Sequence, residues 1–289
     1  MLLISLMCTF SIGLAQIDPV TNLQGTFDGF TTVDLTWTAP AGADALMTYS
    51  NGNLHTGVGY GQDTPCDFYI AQRFPAEDLV NYQGLTLKSV KFIPYIATAT
   101  YTITVWTGDT LGTDEDGYPI YTPGTIASSQ AVGTTVTEQV YNTITLNTPV
   151  AIPTSGALWI GVRCVADAGY PAAADNGPAV IGKGDLIEDG GVFYDLADMG
   201  LNYNWCIVGL AGTVTRSAKS ETPAFEDVVM AHNSGTLQED PNANPTRSFE
   251  FECSYNVYKN DTLVGSTIYP NYSCTVNETG QLNFCVKTA

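Results

Sequence analysis

The chain has 289 residues, 44% of them hydrophobic and only 13% charged, which is room for one large domain or two ordinary ones around a proper buried core. Ten Lys and Arg stand against 29 Asp and Glu, a net charge of −19; such a surface repels nucleic acid and anionic bilayers, and both are excluded as partners. The 28 Gly and 15 Pro, with Thr, Val and Tyr recurring throughout, are the composition of a β protein with many turns.

Residues 1–15, MLLISLMCTFSIGLA, carry no charge and are too few to span a bilayer. The run ends Gly13-Leu14-Ala15, with small residues where a signal peptidase needs them. It reads as a secretory signal cleaved near Ala15, although a basic start is missing. The expected location is therefore secreted or outer cell surface, without membrane insertion. Bulky Met7 argues against a lipid anchor on Cys8. Cys66, Cys164, Cys206, Cys253, Cys274 and Cys285 remain after cleavage. Export permits disulfides, and sequence alone does not choose among the pairings.

Pro19–Leu23 reads as a short edge strand, and Val33, Leu35 and Trp37 alternate with polar residues as one face of a second. Ala39-Pro40 stops it. From 44 to 214 the chain is a succession of short strands. Phe68–Phe74 is followed by a helical turn at Pro75–Leu79, with Pro first and acids in the first turn. Strands are expected at Leu85–Pro94 and Tyr101–Trp106, then a polar loop from Gly108 to Pro119. More follow at Ile120–Val132, Gln139–Ile152, Ala157–Ala166, Ala179–Ile187, Gly191–Tyr194 and Trp205–Val214. Eight or more antiparallel strands without a helical period predict a jelly-roll β-sandwich. Residues 215–247 read as a linker with one short helix around Ala224–Met230. Beyond it, Phe249, Phe251, Cys253, Tyr255 and Val257 alternate, Lys259-Asn260-Asp261 turns, and Leu263–Ser266, Tyr272–Val276 and Leu282–Lys287 add strands.

Neither 19–40 nor 248–289 can close a sandwich alone. Joined, they supply six of the seven strands of a fibronectin type III-like fold. The expected architecture is all-β: a jelly-roll β-sandwich inserted after the second strand of an incomplete fibronectin type III-like sandwich. The last strand, and further domains, are expected after Ala289. Cys253 shares a face with Tyr255 and Val257, and Cys274 one with Tyr272, so a Cys253–Cys274 disulfide is one candidate pairing.

Tyr255–Leu263, with Gly280 and Phe284-Cys285-Val286-Lys287, resembles the repeated fibronectin-like module of gingipain adhesin regions. That module also opens with a strand like Leu35–Pro40 and carries a jelly roll at this point. The inserted stretch resembles a related secreted module at Phe68–Phe74, Ala99–Trp106, Leu158–Val162, Gly169-Tyr170-Pro171, Asp175–Pro178 and Gly200–Trp205. The resemblance covers most of the mature chain. It implies a surface or secreted adhesin-type module of Bacteroides-type bacteria, and no protease.

For chemistry, His55 sits in a loop-like Gly52–Gly57 stretch and His232 in the linker, neither in a nucleophile's context. The chain has no GxSxG, HExxH or P-loop. Two groups are candidate calcium ligands, since hard cations take loop oxygens. One is Asp114 and Asp116; the other is Asp175 and Asp185, with Asn176, Asn202 and Asn204 beside them. Turn capping is the competing reading of both. Tyr170 and Tyr203, with Asp175, Asp185 and Asn202, are the candidate ligand-binding residues, because sugars stack on exposed aromatic faces. Trp205 starts a strand and reads as core. Asp109-Thr110-Leu111 and Asp261-Thr262-Leu263, both at expected turns, resemble bacterial O-glycosylation sites. The expected function is a non-catalytic adhesin-type binding module for a host or matrix protein or glycan. The alternative is a carbohydrate-binding accessory module of a larger secreted hydrolase.

Overall fold

Threonine-rich, β-branched segments punctuated by glycine fold here almost wholly into strands. The computed structural model describes residues 20–38, 44–133, 135–213, 236–243, 247–248, 255–267, 271–276 and 282–288. The expected signal segment, the helix expected at 224–230, and Cys253 lie outside them. In chain order the strands are β1 (Thr21–Phe27), β2 (Thr32–Thr38), β3 (Ala45–Met47), β4 (Asn53–Gly59), β5 (Cys66–Phe74), β6 (Thr86–Phe92) and β7 (Thr100–Thr113). Then come β8 (Pro119–Ala131), β9 (Asn142–Ala151), β10 (Leu158–Ala166), β11 (Ala172–Asp175), β12 (Leu186–Asp189), β13 (Val192–Asp195) and β14 (Ile207–Gly212). The last are β15 (Gln238–Glu239), β16 (Arg247–Ser248), β17 (Tyr255–Lys259), β18 (Thr262–Thr267), β19 (Asn271–Thr275) and β20 (Phe284–Thr288). Among the described residues no helix is long and apolar enough to cross a membrane. The chain is all-β.

It divides into two compact units: residues 1–46, 211–213 and 251–289, and residues 47–210 with 214–250. The first unit has two three-stranded sheets, β1-β2-β19 and β18-β17-β20. Strand β2 is central in its sheet, with Leu35 opposite Gly25 on one side and Tyr272 on the other. Strand β17 is central in the second, with Val257 opposite Val286. Asp28 closes the β1–β2 hairpin by accepting the N–H groups of Phe30, Thr31 and Thr32 on Oδ1. The β17–β18 hairpin turns on Asn260 and Asp261, both with positive φ (49° and 63°), the conformation of a two-residue turn that suits Asn and Asp. The alternating faces meet in one core that holds Val33, Leu35, Trp37, Tyr255, Val257 and Phe284, along with Cys274 and Val286. Trp37 and Tyr255 meet edge to face, ring centroids 5.3 Å apart.

In the second unit, β10-β5-β12-β13-β8-β7 close into a ring. The registers run Gly161 against Ala71 and Thr104, and Ile187 against Ile70. Strands β11-β4-β15 form another sheet, with β16 also on β4, and β6 pairs with β9. One core gathers Tyr69, Trp106, Trp159, Leu186 and Phe193; another gathers Leu54, Tyr95, Tyr170 and Cys206.

Several expectations need correction. Strands β7 and β8 run on to Thr113 and from Pro119, so the loop expected from Gly108 shrinks to the tip at 114–118. Polar Thr and Asp side chains on both faces concealed this extension, because the arm is mostly solvated. Thr110 is therefore mid-strand, not in a turn. The strand expected over Ala179–Ile187 begins only at Leu186; side chains from elsewhere bind the backbone before it. Within the expected 215–247 linker, β15 and β16 pair with β4. The Pro75–Leu79 turn forms through bonds from Asp78 N to Pro75 O and Leu79 N to Ala76 O, then passes into a 3-10 turn at Val80–Tyr82.

Trp37→Ala removes the largest indole contact of the first unit's core, and is expected to cost about 3–5 kcal/mol in urea unfolding. Phe30→Ala, at a side chain 84% exposed, should change stability by less than about 0.5 kcal/mol.

Candidate functional site

Asp175 ends β11, fully buried. A carboxylate survives there only if donors converge on it. Asn51 N–H donates to Oδ2 at 2.9 Å; Gly177 N–H and Asn204 N–H donate to Oδ1, each at 2.8 Å. The Asn204 amide Nδ2 lies 3.4 Å from both carboxylate oxygens and donates to Pro178 O at 2.9 Å. Asn204 Oδ1 accepts Val180 N–H, and Asn202 Oδ1 accepts Ala179 N–H. Asn51 Nδ2 donates to Asn176 Oδ1 and Gly177 O. Gly177 has φ +64°, and a Cβ there would collide with Asn202 O, so the bend admits no side chain. The sequence-predicted Asp175, Asn176, Asn202 and Asn204 thus come together as caps of one knot of loops.

Asp185 stands apart from this knot and pairs with Asp195. The two carboxyls are both buried and lie close enough to perturb each other electrostatically, and Asp185 Oδ1 has no hydrogen-bond partner. Asp195 Oδ1 accepts Gly182 N–H and Oδ2 accepts the Tyr121 hydroxyl at 3.0 Å. Asp185 Oδ2 accepts Ala197 N–H at 3.4 Å. Burial, then the Asp195 charge, pushes the Asp185 carboxyl up to about 8. Burial raises Asp195 as well. Two interacting buried carboxyls disfavour ionising together.

The other sequence-predicted residues divide. Asp114 Oδ1 accepts Asp116 N–H and Tyr118 N–H, which closes the β7–β8 tip. Among the described residues no group of three or more His, Cys, Asp and Glu is placed to hold a metal. At Asp114, Asp175 and Asp195, N–H and O–H donors are aimed at the oxygens a cation would need. Tyr170 is a correction: it is buried in the core with Leu54 and Cys206, so it offers no face to a ligand. Trp205 is fully buried, its Nε1 donating to Leu186 O at 2.8 Å. Cys274 is buried in the first unit's core.

Tyr203 is half-buried, its hydroxyl donating to exposed Glu239 at 2.8 Å. His55 is in strand β4, not in a loop, and its ring packs 5.1 Å from that of Tyr203. Burial and Glu239 push the Tyr203 phenol up to about 12. Sequence reading missed His55 and Glu239 as neighbours of Tyr203, because the three come from distant parts of the chain: β15 brings Glu239 onto β4 beside Val58, and Tyr203 reaches both from the approach to β14.

Also unread in the sequence is a cleft of about 270 Å³ lined by Tyr60, Ile187, Glu188, Asp189 and Met199, with Thr236 and Leu237. Glu188 is 2% exposed and accepts Gly191 N–H at 2.7 Å. The buried thiols Cys66, Cys164 and Cys206 all have raised pKa values, chiefly through burial, which makes them poor nucleophiles. In comparisons with family models, curated proteins and solved structures, no match to this chain was found.

Two outcomes follow from the buried acids. Asp175→Ala strands the N–H groups of Asn51, Gly177 and Asn204 and should cost about 2–4 kcal/mol in chemical denaturation. The proton held by Asp185 in the fold is released in the unfolded chain above its ordinary carboxyl range. Stability from this group is therefore full below about pH 4 and lost as pH rises towards about 8. The melting temperature should fall across that window, and Asp185→Asn, which cannot titrate, should flatten the fall.

Proposed function

We propose that this chain is a secreted or outer-surface binding protein of adhesin type, without catalysis of its own. Its partner in this reading is a host or matrix protein. The observation that carries the reading is the knot around Asp175. It holds the loops of the second unit in fixed positions without using their outward-facing groups. A surface ordered before binding loses less entropy on contact than a mobile one, and loops on a rigid β scaffold are where recognition concentrates. Tyr203, its hydroxyl fixed by Glu239 and its ring against His55, is the kind of held aromatic that anchors protein contacts. The resemblance to gingipain adhesin regions supports the same reading, as does a split module carrying an insert.

A second reading is a carbohydrate-binding accessory module of a larger hydrolase. The ring of Tyr203 beside carboxylate and imidazole favours it, since a sugar takes both stacking and hydrogen bonds.

The test is binding of the full chain to immobilised collagen, fibronectin and fibrinogen in parallel with a glycan array. Saturable binding to a protein surface is expected, weakened about tenfold or more by Tyr203→Ala, roughly 1.4 kcal/mol. Reproducible sugar specificity that disappears in Tyr203→Ala would transfer the assignment to the second reading. No saturable binding in either format would overturn both.

A further inference from the structure

The arm made by the outer parts of β7 and β8 has one closed edge and one open edge. Asp114 N–H donates to Tyr118 O at 3.0 Å, so 114 and 118 are a hydrogen-bonded pair of this hairpin. From there the register runs without a shift through Thr113 opposite Pro119, Leu111 opposite Tyr121 and Asp109 opposite Pro123. Bonded and non-bonded pairs alternate along an antiparallel ladder. Gly112 and Thr110 therefore direct their N–H and C=O groups at β8, while Thr113 and Leu111 turn theirs away from it.

The two edges differ in how they are protected. On the β8 side, Pro119 and Pro123 carry no N–H, and Tyr121 between them lies opposite Phe193 of β13. Proline and a covering strand are both ways of closing an edge. On the β7 side, pairing with β10 ends at Thr107 opposite Leu158, with a last bond from Gly108 N–H to Ala157 O. Thr110 to Thr113 are all exposed, and neither proline nor lysine stands among them. Among the described residues no strand pairs with this edge beyond Thr107. We propose that the open edge of β7 at Leu111 and Thr113 receives an extended segment of a protein partner as an added antiparallel strand, with Lys or Arg at the end of the segment that meets the arm's tip. The inference rests on the protein-binding reading above and names the chemistry its partner must bring.

The chemistry argues for that occupant. Outward N–H and C=O groups are satisfied by the backbone of any extended chain laid beside them. Leu111, 57% exposed, adds an apolar side chain for a cross-strand neighbour. The tip beyond Thr113 carries Asp114, Glu115 and Asp116. An antiparallel partner begins at this tip, so cations near its start lie against these acids. Asp109 is already matched by Arg73 and makes no such demand. A second copy of the chain would bring the same acids and a net charge of −19, which opposes pairing between copies.

The test titrates the full chain with acetyl-Lys-Lys-Thr-Thr-Val-Thr-Thr-amide, followed by NMR with amide hydrogen exchange. Binding should slow exchange at Leu111 and Thr113 and leave Thr110 and Gly112, already bonded to β8, unchanged. Affinity should fall as salt rises. The same peptide N-methylated at its first Thr and its Val loses the donors that face β7 and should bind about tenfold more weakly or worse. Replacing both Lys by Glu should do the same. Leu111→Pro and Thr113→Pro remove an outward N–H while sparing the ladder to β8, as Pro119 and Pro123 do across from them, and each should weaken binding about tenfold. Leu111→Val keeps the N–H and should bind like the native chain. Should both proline variants unfold the arm, the N-methylated peptide puts the same question to the native protein.

No binding of the peptide, equal binding of its N-methylated form, or protection that falls elsewhere would overturn the proposal. Equal binding of the Glu peptide would overturn the partner's charge. Protection of Leu111 and Thr113 that grows with protein concentration without peptide, together with a dimer in sedimentation, would give the edge to a second copy instead. Matrix-protein binding undiminished in Leu111→Pro would overturn the edge assignment alone. Peptide pairing at Leu111 and Thr113 by a chain that binds no matrix protein would uphold the edge and remove the reading it serves.

Discussion

The Asp175 carboxylate accepts N–H groups from positions 51, 177 and 204, and its complete burial is tolerable only because these donors converge on it. Each donor belongs to a different stretch: the approach to β4, the bend after β11, and the approach to β14. Once these are fixed, Asn202 and Asn204 can cap Ala179 and Val180. That in turn brings Gly182 N–H to Asp195 and Trp205 N–H to Gly184 O. In the long irregular stretch between β11 and β12, the N–H groups of Gly177, Ala179, Val180, Gly182, Lys183 and Gly184 thus find partners without regular strand pairing. The neighbouring buried pair, Asp185 and Asp195, depends on the same placement.

Much of the first unit was legible, because period-2 alternation is explicit there. Val33, Leu35 and Trp37 read as one face, as did Tyr255 and Val257, and a single core holds all five. The turn at Asn260-Asp261 announced itself through its residue types. The second unit was legible in its core strands and less so elsewhere. β5 and β10 are buried on both faces and read as apolar runs, whereas β4, with Gly, His and Thr, has the look of a loop. Small residues are needed there because Tyr95 lies against Gly57 and the backbone of Gly169 against Gly59. Nothing in the local sequence declares such a neighbour.

The candidate site shows the same division. Asx-rich turns marked the Asp175 knot, since Asp and Asn bond backbone groups wherever chains bend. Asp185 was grouped with it by proximity in sequence, but the structure gives it Asp195 as its partner. Tyr170 and Tyr203 looked alike on paper, both beside glycine or asparagine. Burial separates them, with Tyr170 in a core and Tyr203 at a surface beside Glu239. The cleft was invisible in the sequence because its walls come from positions near 60, 188, 199 and 237. Only strand pairing makes them neighbours.

The nesting of one unit within the sequence of the other bears on how the protein is made. During synthesis β1 and β2 emerge first, and Val33, Leu35 and Trp37 then have only Val20 and Leu23 as apolar partners until Tyr255, Val257 and Phe284 have been translated. Closing that gap through a disordered loop would carry a large entropic penalty and a slow search. If the insert folds first, the connection becomes a compact object of fixed span, and the search shrinks to docking two short segments. The quality of the insert's own folding therefore sets the rate at which the outer sandwich is completed. A lesion deep in the second unit, such as loss of Asp175, would leave the hairpin of β1 and β2 exposed as an unpaired edge for longer, with aggregation as the competing fate.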